Sequence, residues 1–349
     1  MASQKQYAGD RSTLIQAGRD IHVGLTVSEG RQIALDVFKA NALELAGLAK
    51  DLFEARGTEF IERYLQELQR RRPDAIKSLA QPDMQYALFS AQREAAKSGD
   101  EDLYELLTDM LVDRAAEENR SLKRIVLDEA LVVAPKLTVH ETSLLSISFL
   151  LTKSSSHSTS LETLRTYIQE TLIPFVEDLP DSSSSFLHLL YTGCGSTNDE
   201  ALITLAGSLY YENLHLFCEG LTAEEILSIS PDAIGTRLVI PCLSDPALYQ
   251  LASVPANVQE IAALAEECGL PETEVEELVT YQYGRLSLSG GGQIGTGVAE
   301  LFPELTEAIT RWDHSGATRM ELTSVGIAIA LANIRRKTGR ELDLADWLT

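Results

Sequence analysis

The apolar residues of this 349-residue chain recur mostly at intervals of three and four, the spacing of one face of an α-helix. The clearest examples run from Asp102 to Ala116, from Leu122 to Ala134 and from Ser324 to Lys337. Two capping boxes of the form Thr-x-x-Glu, beginning at Thr138 and Thr222, predict further helix starts. The pattern therefore predicts a mainly α-helical protein.

The first 28 residues follow a different pattern, in which apolar and polar residues alternate as they do in strands. Gly9 and Gly18 occupy equivalent places, nine residues apart, and Ile21, Val23 and Leu25 then form one apolar face. Two short strands do not make a stable sheet alone, so this face must be covered. Either other copies of the segment cover it, which makes it an oligomerisation arm, or it folds back as an internal hairpin. We favour the arm.

A long helix is predicted over 29–73, with Ser28 as its N-cap and Pro73 as its end. Gly47 and Gly57 weaken the helix, at a cost of about 1 kcal/mol each relative to alanine. Leucines spaced by three and four near its middle suggest a seam between copies of the chain. The predicted oligomerisation residues, from the arm and the seam together, are Leu14, Ile15, Ile21, Val23, Leu25, Leu45, Leu48 and Leu52.

Residues 261–279 carry the spacing of a helix-turn-helix. Ala265 is the small residue where the helices touch, Gly269 is in the turn, and Val275 is the aliphatic residue of the second helix. A strand-like stretch follows at 283–288.

Two later segments extend this interpretation. The glycine run at 289–297 lacks the Gly-Lys-Ser/Thr of a phosphate loop, so we expect a wing or loop there. Met320 to Thr323 is a predicted strand leading into the last helix. Together these features predict a winged-helix-like domain. The predicted organisation is an oligomerisation arm, a long helix, a helical bundle domain and a winged-helix-like domain, with the ranges 1–28, 29–73, 74–254 and 255–349.

Charge argues against nucleic acid as the partner of that last domain. The chain has a net charge of −23, which repels phosphate backbones. Its basic runs, at 70–72 and 335–337, lie at predicted helix ends, where cations complement the helix dipole. The helix that would enter the DNA groove is rich in carboxylates, at Glu272, Glu274, Glu276 and Glu277. We therefore expect the acidic winged-helix surface to bind another protein.

The sequence offers no catalytic, cofactor or metal motif. Its four cysteines and six histidines are scattered, without CxxC, HExxH or GxSxG. We interpret the cysteines as small buried hydrophobes. Without a secretory signal or a long apolar stretch, such thiols are typical of the cytoplasm, where we place the protein. We expect no cofactor and no membrane span.

One polar group on a predicted helix stands out as a possible partner surface. It consists of Gln85, Tyr86, Gln92 and Arg93, next to an acidic stretch over 100–105. The alternative is a polar seam that is hydrogen-bonded inside the protein.

The same region carries a family resemblance. The phrases PDMQYALFSAQ from Pro82, DLYELLTDMLVDR from Asp102 and KRIVLDEA from Lys123 resemble the core of an uncharacterised bacterial family known only by locus names. That family has an aromatic residue where this chain has Met84. The closing ELTSVGIAIALANIRRKTG is also similar to the family's end. Because the family has no established activity, the resemblance implies no catalytic residue.

A second resemblance concerns the order of the helices, which is similar to the helical module of phage-abortive-infection proteins. The first hypothesis is therefore a non-enzymatic, self-associating bacterial protein, an antiviral defence sensor or scaffold. The alternatives are a transcription regulator that uses the helix-turn-helix and an enzyme of unknown activity.

Overall fold

The computed structural model describes residues 26–41, 47–252, 258–284 and 291–348. Sixteen α-helices lie in these ranges, joined by short 3-10 and π segments. The helices are α1 (Val27–Asn41), α2 (Leu48–Arg71), α3 (Pro82–Ser98), α4 (Glu101–Ala115), α5 (Leu122–Val133), α6 (Val139–Thr152), α7 (Leu161–Tyr167), α8 (Ile173–Val176), α9 (Ser184–Tyr191), α10 (Leu205–Glu212), α11 (Ala223–Ile229), α12 (Val258–Cys268), α13 (Glu272–Tyr283), α14 (Gly291–Leu301), α15 (Thr306–His314) and α16 (Ser324–Thr338).

Four three-residue strands complete the described part of the chain. They form two antiparallel pairs, of which the first joins segments more than 100 residues apart. The strands are β1 (Gly195–Thr197), which pairs with β4 (Met320–Leu322), and β2 (Val239–Pro241), which pairs with β3 (Tyr249–Leu251). The mainly α-helical prediction is confirmed.

The single long helix predicted over 29–73 is wrong, because α1 and α2 pack side by side. The rings of Phe38 and Phe53 stack with their centroids 4.7 Å apart. In one straight helix, residues 15 positions apart would lie about 22 Å apart. The glycine at position 57 makes the contact possible, since a Cβ there would overlap the ring of Phe38. The cap also differs from the prediction, because Thr26 and Glu29, rather than Ser28, bond reciprocally at the start of α1.

Local signals in the middle of the chain predict the helices well. Thr138 and Thr222 both form the predicted capping boxes, with Glu141 and Glu225 as their partners. Helices α4 and α5 begin and end within one residue of the predicted bounds. Each of these signals depends only on residues a few positions apart, so no tertiary contact had to be foreseen.

The main core is built around α16, which packs against α4, α5 and α6. Every residue of α16 from Gly326 to Ile334 is buried, as expected of a helix that is surrounded on all sides. The start of α16 lies directly against the backbone of Cys194. Thr323 donates its N–H to the Cys194 carbonyl at 3.1 Å, and a Cβ at position 326 would overlap the same oxygen. This close approach connects α16 to the β1–β4 pair.

A second, smaller core forms between Cys218 and Leu278. It brings α12 and α13 together with α11 and the β2–β3 pair, through residues such as Leu238, Ile261 and Val275. The predicted helix-turn-helix is thus present as two packed helices. Leu270 N–H, for example, bonds the Ala265 carbonyl across the turn, at 3.1 Å.

Among the described residues, the later segments of the predicted winged-helix-like domain pack in the main core and not on α12 and α13. Residues 291–297 of the glycine run belong to α14, not to a loop, and α14 packs in the main core. The predicted strand at 320–322 is present, but it pairs with β1 of the main core. The strand predicted at 283–288 lies mostly outside the described residues. The boundary at 255 therefore does not separate the cores, because the chain returns to the main core after α13.

Within the part of the chain that the structure describes, no helix combines the length and the apolar character needed to cross a bilayer.

Candidate functional site

The predicted oligomerisation residues fall into two groups. Leu48 and Leu52 lie one turn apart at the start of α2, and they are 86% and 51% exposed. Each presents its apolar side chain to solvent rather than to α1 or α3. The remaining six, Leu14, Ile15, Ile21, Val23, Leu25 and Leu45, lie outside the described residues.

The four residues of the predicted polar surface on α3 divide between the interior and the exterior. Gln92 is buried and donates from Nε2 to the Gly57 carbonyl at 3.0 Å, so it holds α3 against α2. Gln85 is half-buried and donates to the carbonyl of Leu79. Tyr86 and Arg93 are exposed on one face of α3, and Arg93 pairs only with the adjacent Glu94. Gln85 and Gln92 thus make internal hydrogen bonds, and a partner surface on this helix stays a prediction for Tyr86 and Arg93.

A charged cleft lies where the ends of α2 and α16 meet α4. It has a volume of about 460 Å³, and its lining includes five arginines and four carboxylates. The sequence places these charges for a local reason: Arg71 and Arg335 are in the last turns of their helices, where cations offset the negative end of the helix dipole. We refer to this feature as the charged cleft.

The inner part of the charged cleft is a set of four largely buried side chains. Asp109 and Asp113, four residues apart on α4, each contact both Arg71 and Arg335. Arg335 Nη1 lies 2.9 Å from an oxygen of each aspartate, and Arg71 Nη1 lies 2.5 Å from Asp109 Oδ1. The set joins three helices that are far apart in the sequence, so we assign it a structural role.

Burial has the largest effect on the pKa of Asp109. Removal from water raises the pKa of Asp109 to about 6, against the lowering effect of Arg335. The negative charge of Asp113 raises the same pKa, and Arg71 lowers it. Asp109 therefore binds its proton more tightly in the folded protein than in an unfolded chain.

The outer part of the charged cleft contains three arginines with solvent-exposed partners. Arg63 contacts Glu59 and Glu101, Arg70 contacts Glu67, and Arg336 contacts Asp102 and Glu105. The side chains of these five carboxylates are 36% to 63% exposed. The pairs of Arg63 and Arg70, in which both partners are exposed, contribute about 0–1 kcal/mol each.

Only part of this cleft is predictable from the sequence. The basic runs at 70–72 and 335–337 lie at the ends of α2 and α16, where the sequence predicts helix-end cations. What sequence reasoning missed is that Asp109 and Asp113 lie on the packed side of α4. A pair of carboxylates four residues apart within a largely buried helix could have indicated a buried cation partner.

The face formed by α12 and α13 is a groove of about 850 Å³. Its lining combines buried apolar side chains with exposed glutamates, namely Ile261, Ala265, Leu270 and Val275 with Glu266, Glu272 and Glu276. We refer to this feature as the acid-rimmed groove. Its negative rim has the wrong sign for a phosphate backbone.

The described histidines make structural contacts. His140, His157, His215 and His314 bond backbone carbonyls, and His188 bonds the buried Glu141 at 2.6 Å. Among the described residues, no group of three or more His, Cys, Asp or Glu side chains is arranged to hold a metal ion. The prediction of buried cysteines is confirmed for Cys194, Cys218 and Cys242, while Cys268 is half-buried.

Comparison with known proteins places the chain in a family. A family profile matches residues 24–348, which is nearly the whole chain, and the family is uncharacterised and named by a locus. A search of curated proteins and a search of solved structures each found no match.

Proposed function

We propose that this chain, as a member of that uncharacterised, locus-named family, is a non-enzymatic, self-associating bacterial protein that acts as a sensor or scaffold. The observation that carries the proposal is the exposure of Leu48 and Leu52 on one face of α2. A single exposed leucine is ordinary in a monomer, but two on one helical turn form a small apolar surface. This surface lies at the N-terminal end of α2, the helix in which the sequence places the seam.

Self-association would bury both side chains. Complete burial of a leucine contributes about 1.5–3 kcal/mol, so each copy gains a few kcal/mol from this contact. Strand pairing by the arm over 1–28 would add to it, as the sequence pattern predicts. Such an assembly turns one binding event into a response of many copies, the behaviour that the resemblance to abortive-infection proteins implies.

Light scattering tests the proposal on three chains. The full-length protein is expected to have a native mass that is a multiple of 38.3 kDa. The double variant Leu48→Ser/Leu52→Ser, and a chain that starts at Glu29, are each expected to contain fewer copies per particle. Leu202→Ser is the matched control, since Leu202 is 66% exposed and lies outside the seam. A monomeric full-length protein, or the same number of copies in the full-length chain, the double variant and the truncated chain, would contradict the proposal.

We further propose that the acid-rimmed groove binds a basic segment of another protein. An apolar floor with a carboxylate rim suits an amphipathic helix whose polar face carries lysine or arginine. The same rim disfavours DNA and therefore the transcription-regulator alternative.

Fluorescence anisotropy tests whether the acid-rimmed groove binds a basic peptide or DNA. A labelled amphipathic peptide of leucine and lysine is expected to bind the full-length protein, and a 20-base-pair duplex is not. The double variant Glu272→Lys/Glu276→Lys should weaken peptide binding by at least about tenfold, whereas Glu200→Lys, on an exposed loop, should not. Salt-sensitive binding of the duplex with no binding of the peptide would reverse the assignment.

A further inference from the structure

The outer arginines of the charged cleft, Arg63, Arg70 and Arg336, pair with exposed carboxylates rather than with the buried Asp109. Arg71 and Arg335 are neutralised by the buried Asp109 and Asp113. In contrast, Arg63 and Arg70 pair only with carboxylates that are themselves solvent-exposed. These two arginines can therefore change partners without leaving a buried charge uncompensated.

Arg336 has donor capacity that its present partners do not use. It contacts two exposed carboxylates through Nη1 and bonds the Asn333 side chain through Nη2 at 2.9 Å. Its Nε is buried without an acceptor among the described residues. An unsatisfied N–H of a charged group is costly, so the present set of contacts leaves this guanidinium incompletely satisfied.

The cleft has the size and the local charge for a small anion. A volume of about 460 Å³ falls within the range of small-molecule sites, about 300–1,000 Å³. Five of the chain's 29 basic residues line it beside four carboxylates, so the cleft concentrates guanidinium groups in a chain of net charge −23. Guanidinium groups bind phosphate oxygens through paired N–H donors, with a geometry that lysine does not supply.

We propose that the charged cleft binds a compact phosphate-bearing ligand, held by Arg63, Arg70 and Arg336. The phosphate oxygens take the place of the exposed carboxylates Glu67 and Glu105, which turn to solvent. Asp109 and Asp113 remain on Arg71 and Arg335, so the contact between the three helices is kept. This inference does not depend on the proposed self-association, because α2 carries Leu48 and Leu52 at its other end.

Isothermal titration of the full-length protein with inorganic pyrophosphate, at constant ionic strength, tests this inference. Arg63→Gln and Arg70→Gln are each expected to raise the Kd at least about tenfold, the effect of losing one charge-assisted contact. Arg237→Gln is the matched control, because Arg237 is 82% exposed, pairs with Glu267 and lies outside the charged cleft. Circular dichroism checks that each variant is folded.

Three results would overturn the proposal. They are failure of pyrophosphate to bind the wild-type protein at millimolar concentration, an unchanged Kd in both cleft variants, and an equal loss in Arg237→Gln. Sulfate at the same ionic strength serves as the competitor. Complete displacement of pyrophosphate by sulfate would also overturn the proposal, because it would show that the cleft responds only to the charge of the anion. Light scattering on the same variants keeps the two proposals separate, since their native mass should equal that of the wild type.

Discussion

Replacing Gly326 by alanine is expected to lower the free energy of unfolding by about 3 kcal/mol or more. A Cβ at this position would overlap the Cys194 carbonyl oxygen, which is backbone and cannot turn aside. The same oxygen accepts the Thr323 N–H, so moving it also breaks the contact between α16 and the β1–β4 pair. Since α16 is surrounded by α4, α5 and α6, it has no room to shift outward.

Urea unfolding, followed by circular dichroism, measures this loss. The control is Gly295→Ala in α14, where no atom lies within 4 Å of the added Cβ. That change should raise the free energy of unfolding by up to about 1 kcal/mol, the difference in helix propensity. If Gly326→Ala were as stable as the wild type, α16 could not lie against Cys194 as described.

The second large effect is expected from Arg335→Met, which should lower the free energy of unfolding by about 3–5 kcal/mol at pH 7.5. The variant leaves Asp109 and Asp113 buried together with only Arg71 as a partner. Arg237→Met, which removes an exposed arginine, should change the free energy by no more than about 0.5 kcal/mol.

The loss in Arg335→Met should be smaller at pH 5.5 than at pH 7.5. The pKa of Asp109 is about 6 in the folded protein, above its ordinary 3.8, so its contribution to stability is present at low pH and is lost as pH rises through 6. Removing the charge of Arg335, which lowers this pKa, raises it further. Asp109 in the variant is then neutral at pH 5.5, and the unpaired buried charge disappears. Urea unfolding at the two pH values tests this sign, and a larger loss at pH 5.5 would contradict it.

The parts of the fold that the sequence predicts are those with local causes. The capping boxes at Thr138 and Thr222, and the amphipathic patterns of α4 and α5, depend on residues within a few positions of each other. The side-by-side packing of α1 and α2 does not, because only the contact of Phe38 with Phe53 reveals it. Helical periodicity continues through both helices and carries no information on their relative direction.

The charged cleft could not be predicted from spacing for the same reason. Asp109 lies 38 positions after Arg71 and 226 positions before Arg335, and nothing in the sequence pairs them. The exposure of Leu48 and the burial of Gln92 are likewise set by neighbouring helices rather than by residue type. The sequence identifies these residues as candidates, but only the packing of the helices shows which of them lie on the surface and which lie inside.

The order of the elements along the chain also affects the order in which the two cores fold during translation. Helix α16 follows every helix that it packs against, so a growing polypeptide must keep α4, α5 and α6 without their central partner until its synthesis is almost complete. The smaller core, between Cys218 and Leu278, is finished earlier, because all of its residues precede α14. Domains fold as units while the ribosome adds about 5–20 residues per second. We therefore expect the smaller core to form first during translation and the main core to be completed last.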